Sequence, residues 1–326
     1  MESAQLHRDA VVIDGLIIAR FGREVFEDMR RGGLTAANCT CSVWEGIHGT
    51  LENLAWWEQA FREHADLIRP VHGTADVRAA KEEGRTGIIL GWQNSSGIED
   101  RLDFLPLFQR LGVRVIQITY NTQNYAGSGC YESSDSGLSD FGHDLVAEMN
   151  RLGILCDLSH VGPRTSRDVI EASRAPVAYT HCLPAGLKAH PRNKSDEELR
   201  FIADRGGFVG VTMFPPFLAK GSNAVVDDYV EAIEYVMNHA GTAQVGIGTD
   251  FTQGHDEAFF HWITHDKGIG RKLTEFGEIV NPEGMRRIGD FPNLTEAMLR
   301  RGWPEERVRG VLGENWLRFL GEVWQA

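Results

Sequence analysis

ILCDLSH (154–160) and PVAYTHC (176–182) are two short apolar runs, each reaching a histidine at its end, His160 and His181. The stretch between them, VGPRTSRDVIEASRA, has the proline, charge and apolar spacing of a crossover helix. Strand, helix and strand in that order make a βαβ unit, so the runs pair in parallel and both histidines emerge at the C-terminal edge of the sheet. Barrels and open α/β enzymes place their chemistry at that edge. Two imidazoles side by side there point to metal ligation rather than core filling.

The pattern repeats outward along the chain. VVIDGL (11–16), TAANCTCS (35–42), GIILGW (87–92) and VRVIQITY (113–120) precede the pair, and FVGVTMF (208–214) and QVGIGTDF (244–251) follow it. Most are continuous apolar runs, as strands covered on both faces require. Amphipathic stretches such as LENLAWWEQAFREHADLI, EDRLDFLPLFQRLG and DDYVEAIEYVMNHAG lie between them. Eight alternating units in about 250 residues predict an α/β fold, a (β/α)8 TIM barrel. An open doubly wound sheet is the alternative and leaves the site at the same edge. EEGRTG, RLGVR, RLGIL and RGGFV put glycine where helices must stop before the next strand. Two insertions break the spacing. NTQNYAGSGCYESSDSG after the fourth strand reads as a loop over the mouth. GHDEAFFHWITHDKGIGRKLTEFGEIVNPEG after the eighth reads as a lid or partner-contacting excursion, with Phe259, Phe260 and Trp262 hinting at a homodimer surface. No repeat or linker appears, so residues 1–326 are expected to form a single domain.

Bulk properties exclude several classes. A formal net charge of −13, with no basic patch, argues against a nucleic-acid partner. No apolar run approaches the roughly 18 residues that span a bilayer, so no membrane is expected. MESAQLHRDA lacks a basic and apolar leader. The five cysteines (Cys39, Cys41, Cys130, Cys156, Cys182) form no CxxC pair and no disulfide framework, which predicts a reducing, cytoplasmic setting.

The strand ends offer Gln93, Tyr120, Asn121, His160, His181 and Asp250. His160 and His181 supply two neutral nitrogen ligands and Asp250 a carboxylate, a set suited to zinc or a related divalent ion. Asp250 could instead take a proton from attacking water. Arg192, in HPRN after the sixth strand, is a fork for a substrate carboxylate, or an ordinary loop arginine paired with Asp196 or Glu197. His190 is expected at the surface. His255, His261 and His265 fall in the lid-like insertion, where HWITH has metal-binding spacing but no third ligand.

The stretches VVIDG, LGVRVIQITYNTQN, GLSDFGHDLVAEMNRLGILCDLSH, PVAYTHC, HPRN, GIGTDF and GENWLRFL together resemble the membrane (renal) dipeptidase family of amidohydrolase-like barrels. The resemblance runs from about residue 10 to 320. It implies a barrel with two bridged zinc ions that hydrolyses small dipeptides. It also implies that His160 and His181 bind the second metal, Arg192 the substrate carboxylate, and Asp250 both metal and proton. Three positions depart from the family's pattern. Leu16 and Ile18 replace a His-x-Asp pair on the first metal, Gln93 replaces the bridging glutamate, and Tyr120 replaces a histidine that contacts the reacting group. Two bare dications ~3.5 Å apart at an effective dielectric near 20 repel by roughly 19 kcal/mol, so losing the anionic bridge disfavours the pair.

The expectation is therefore a hydrolase of a small amide or peptide-like substrate that bears a carboxylate. Asp250 is the base, Tyr120 steadies a developing oxyanion, Arg192, Asn121 and Tyr120 hold substrate, and at most one divalent ion sits at His160 and His181, with Gln93 or Asp250 as further ligands. A metal-free or mononuclear hydrolase or lyase acting on a non-peptide carboxylated metabolite is the alternative. A catalytically silent binding barrel is the third reading.

Overall fold

Nine parallel strands carry the architecture in a computed structural model that describes residues 2–324. They are β1 (Ile13–Ile17), β2 (Ala36–Ser42), β3 (Ile68–Pro70), β4 (Thr86–Trp92), β5 (Val113–Gln117), β6 (Leu155–Asp157), β7 (Ala178–Cys182), β8 (Phe208–Val211) and β9 (Val245–Ile247). Eight of them, all except β3, close into a ring, because β2 pairs directly with β4 and β9 pairs back onto β1 through Asp14 and Ile247. The (β/α)8 barrel stands, and the open sheet is excluded. The unexpected β3 lies outside the ring, paired with the first residues of β4 from Thr86 to Ile88.

The connections follow the sequence pattern. The helix Pro163–Ala172 links β6 to β7 with proline in its first turn, where no backbone N–H is needed. The helices Thr74–Glu83 and Asp140–Leu152 end on Gly84 and Gly153, both in the left-handed region at φ of 66° and 64°. That conformation costs an L side chain roughly 1–2 kcal/mol and glycine nothing.

Two apolar layers and a small cluster fill the molecule. The larger layer lies between the barrel and its helices. The second lines the lower interior, where Ile13, Ala36, Val115, Leu155, Ala178 and Phe208 converge on Trp316 from the helix Asn315–Val323. The indole ring packs on Phe208 at 4.2 Å and its nitrogen donates to the Ile247 carbonyl at 2.8 Å. Above it, β7 leans across the axis. A Cβ at Gly15, Gly210 or Gly248 would come within 2.6, 2.0 or 1.9 Å of the Thr180 carbonyl oxygen, so three strands must carry glycine there. The third cluster, Ile18, Val43 and Tyr120, sits at the mouth beneath Trp44, Phe259 and Trp262.

Residues 118–139 form the first insertion and 248–290 the second, which carries the helix Glu257–Thr264. This second excursion folds over the barrel mouth. Trp44 Nε1 donates to the Trp262 carbonyl at 3.2 Å, and Thr122 Oγ1 to Asp266 Oδ1 at 2.9 Å. Of the three aromatic residues singled out in the sequence, Phe259 and Trp262 pack over the mouth and Phe260 against the main core, each keeping part of its surface exposed. Among the described residues no helix is long and apolar enough to cross a membrane, and all five cysteines are free thiols.

Candidate active site

His160 follows β6 by three residues and His181 lies within β7, so the parallel pairing brings the rings together. Their Nε2 atoms are 3.0 Å apart and both residues are buried. The outer nitrogens bear on the tautomers. His160 Nδ1 lies 2.7 Å from the carboxamide oxygen of Asn121, which only accepts. His181 Nδ1 lies 2.8 Å from Thr180 Oγ1, which also bonds Asp157 Oδ2 at 2.7 Å. His160 therefore carries its proton on Nδ1 and turns a bare Nε2 toward His181, whose own tautomer decides whether that ring donates across the 3.0 Å gap or leaves it to a cation. Burial, with help from Arg192, holds both imidazoles well below their usual pKa, so neither readily takes a second proton.

Asp157 is the anchor of this corner. Its Oδ1 accepts the backbone N–H groups of Ser159 and Thr180, each at 3.0 Å, which fixes where β7 ends and His181 begins. The same device recurs at Asp250. Asp14 of β1 accepts the N–H of Thr249 at 2.8 Å and its hydroxyl as well, together with the N–H of Leu16 at 3.1 Å. In both places a buried strand aspartate grips a threonine one residue before a functional side chain. The Asp250 backbone is left-handed at φ 62°, as is that of Asn121 at φ 61°, a conformation that aspartate and asparagine tolerate better than other side chains.

Burial raises the Asp250 carboxyl to about 7; Arg192 opposes the shift and Asp157 adds to it, and no hydrogen bond contributes. Asp14 is likewise raised to about 7 by burial, against the pull of its Thr249 and Leu16 bonds. Asp250 sits against the altered wall: its N–H bonds the Leu16 carbonyl at 3.0 Å, and Ile18 N–H bonds the Phe251 carbonyl at 3.0 Å. Tyr120 stacks on His160 with ring centroids 4.2 Å apart and meets Trp44 edge-on at 4.9 Å. Burial and the Asp250 charge push its phenol far above the ordinary range. Because β5 ends at Gln117, Tyr120 and Asn121 lie in the loop beyond the strand.

Arg192 is 1% exposed. Its guanidinium donates to the carbonyls of Ser159 and, at 3.2 Å, His181; Nε has no partner, and the group lies 5.3 Å over the Phe217 ring. The loop pairing with Asp196 or Glu197 is excluded, since Asp196 takes Tyr235 and His239 while Glu197 takes Arg167. Gln93 Nε2 is held by Thr40 Oγ1 at 2.9 Å. His190 is not a free surface residue. It is half-buried, accepts the Arg192 N–H at 3.1 Å, packs against Phe217, and is lowered to about 4 by burial. His261 and His265 stack face to face at 3.8 Å, with His265 Nδ1 bonded to the His261 carbonyl. Their nitrogens do not converge on a point. His255 stacks on Phe259 at 3.5 Å.

Sequence reasoning missed Asp14, Asp157, Thr180, Thr249 and the buried Lys194, whose ammonium bonds the Val161 carbonyl at 2.9 Å. A signal existed: an aspartate inside each of two apolar runs, and threonine directly before His181 and Asp250. Buried acids are rare enough that each implies dedicated partners.

The donor set does not fit a pair of metal ions. Leu16 and Ile18 offer no lone pairs, Gln93 brings an amide in place of a charge, and no group of three His, Cys, Asp or Glu side chains among the described residues could hold a metal. What remains is a two-nitrogen grip at His160 and His181, each ring oriented by the outer hydrogen bond usual for metal-bound histidine.

Residues 23–261 and 268–326 match the family model of the membrane dipeptidases, Peptidase family M19. The chain belongs to that family and is a hydrolase resembling its metallo-dipeptidases. Dipeptidase aclJ of Aspergillus oryzae is 30% identical over 321 residues, 93% of this chain and 70% of that one. Among solved structures, an amidohydrolase from Pseudomonas aeruginosa aligns over the whole of both chains at 61% identity and a TM-score of 0.99. A metallo peptidase from Rhodobacter sphaeroides, bound to a phosphinate mimic of the dipeptide L-Ala-D-Ala, shares the fold. It is 22% identical over 97% of this chain and 100% of that one, with a TM-score of 0.79.

Proposed function

We propose that this chain hydrolyses a small amide or peptide-like substrate carrying a carboxylate, with Asp250 as the group that accepts the proton of attacking water. One observation carries the reading: a buried carboxyl at a barrel strand end, held at about 7 with no hydrogen bond to quench it. A base poised there is half ionised at neutral pH and still basic enough to take a proton. Arg192 is a buried cation that feels the Asp250 charge but bonds only main-chain carbonyls, and a buried charge with no bonded anion favours a carboxylate ligand. Asn121 orients His160 and lines the substrate's approach. Tyr120, neutral across the working range, donates toward a developing oxyanion.

At most one divalent ion, zinc or a similar metal, belongs in this reading, held by the Nε2 atoms of His160 and His181. When bound it would polarise the scissile carbonyl. A second reading, a metal-free or mononuclear hydrolase or lyase acting on a non-peptide carboxylated metabolite, is favoured by the apolar wall of Leu16 and Ile18. Assaying a dipeptide panel with and without added Zn²⁺, alongside elemental analysis of protein purified without chelator, separates the two. Dipeptide turnover lost in Asp250→Asn supports the first, and turnover confined to non-peptide substrates supports the second. Two metal ions per chain would sink both.

A further inference from the structure

Next to the histidine pair, a cavity of about 380 Å³ opens between the ends of β1 and β2, the helix Ile47–Glu63 and the second insertion. Its volume lies within the range of small-ligand sites. Five aromatic side chains line it: Phe21, Trp56, Trp57, Phe259 and Trp262. They are set at different angles, with Phe21 tilted against Trp57 at 4.9 Å and Trp56 edge-on to Trp57 at 5.0 Å, so the lining is aromatic on more than one side. Trp56 stands at the rim, 42% exposed.

The charge of this lining has one sign. Glu45 is its only acidic side chain, no lysine or arginine joins it, and burial lowers His255 to about 4, leaving that ring neutral. The Glu45 carboxylate is fixed in place, since Oε2 accepts the Val43 N–H at 2.7 Å. Oε1 has only a long contact with Asn53 at 3.4 Å, which leaves lone pairs free for a ligand. Several aromatic rings with one carboxylate form the chemistry that recognises an alkylated ammonium group. A primary ammonium would need three acceptors around it, whereas a weakly hydrated, alkylated cation is satisfied by ring faces and one counter-charge.

The cavity also touches the proposed reaction site. Ile18 lines it and shares a cluster with Val43 and Tyr120, and Tyr120 stacks on His160. We infer that this cavity binds an alkylated ammonium group, and that the substrate's far end carries one. The second half rests on the hydrolytic reading of the neighbouring site; the first does not.

The test is calorimetric titration of the intact protein with choline and with its uncharged carbon isostere, in which a tert-butyl group replaces the trimethylammonium. Choline is expected to bind at least about fivefold more tightly than the isostere. Glu45→Gln, which keeps an acceptor for the Val43 N–H, should remove that preference, and Trp56→Ala at the exposed rim should weaken choline about threefold to tenfold. Asp250→Asn should leave choline binding unchanged, so a failed hydrolytic reading would not disturb this result. An isostere that binds as tightly as choline, a preference that survives Glu45→Gln, or no binding of either probe at millimolar concentration overturns the inference.

Discussion

The two sides of the barrel mouth are built alike and finished differently. On the β6–β7 side, Asp157 grips Thr180 and the next residue is His181, which faces a second imidazole. On the β9–β1 side, Asp14 grips Thr249 and the next residue is Asp250, whose backbone pairs with the strand that carries Leu16 and Ile18. Both clamps are intact, yet only the first side presents two imidazole nitrogens to each other. Scaffold and ligand set are therefore separable: the strand ends can stay rigid while the chemistry they present changes.

The sharpest way to break this comparison is Asp250→Asn, which removes the reactive carboxylate and keeps the clamp. Turnover should fall by about 100-fold or more, with the fold unchanged by circular dichroism. In the unaltered protein kcat/KM should rise with pH through about 7, as Asp250 ionises. Stability should move the opposite way. Asp14 and Asp250 are raised to about 7 from an ordinary 3.8, so the folded chain holds protons that the unfolded chain has released. Stability contributed by these protonated groups is lost as pH climbs from about 4 to 7, on the order of a few kcal/mol. Asp250→Asn should flatten that slope in urea titrations, and an unchanged slope would contradict the assignment.

Rebuilding the altered side tests the comparison from the other direction. Leu16→His, Ile18→Asp and Gln93→Glu together should raise metal content measured by elemental analysis from at most one to two per chain. Leu16→His and Ile18→Asp without the glutamate should not, because the anionic bridge would still be missing.

Smaller effects are expected at the clamps. Thr180→Val and Thr249→Val each strip a hydroxyl from a buried carboxylate and should cost about 1–3 kcal/mol in denaturant unfolding. Only Thr180→Val should alter imidazole proton resonances, since only Thr180 bonds a histidine ring. Smallest of all, Ile18→Val should cost about 0.5–1.5 kcal/mol in denaturant unfolding, the cost of one methylene lost from a buried cluster.

The barrel was readable from the chain because its strands are buried on both faces and appear as unbroken apolar runs. β3 was not, since three residues ending in Pro70 leave no pattern to detect. The histidine pair followed from one βαβ unit whose handedness and direction are fixed by sterics. Arg192 was found, but not that main-chain carbonyls already take part of its fork, which depends on how deep the loop sinks. The aromatic cavity was invisible for a different reason. Phe21, Trp56 and Trp262 are far apart in sequence, and they line one space only after the second insertion has folded over.

Trp316 carries a consequence for how the molecule comes into being. The residue that corks the lower barrel lies near the end of a 326-residue sequence, while the strands it rests on begin at residue 13. Without this cork the inward faces of the lower strands lose their apolar partner. Chains truncated before residue 316 should be held by chaperones or lost to aggregation, whereas the 326-residue chain should close.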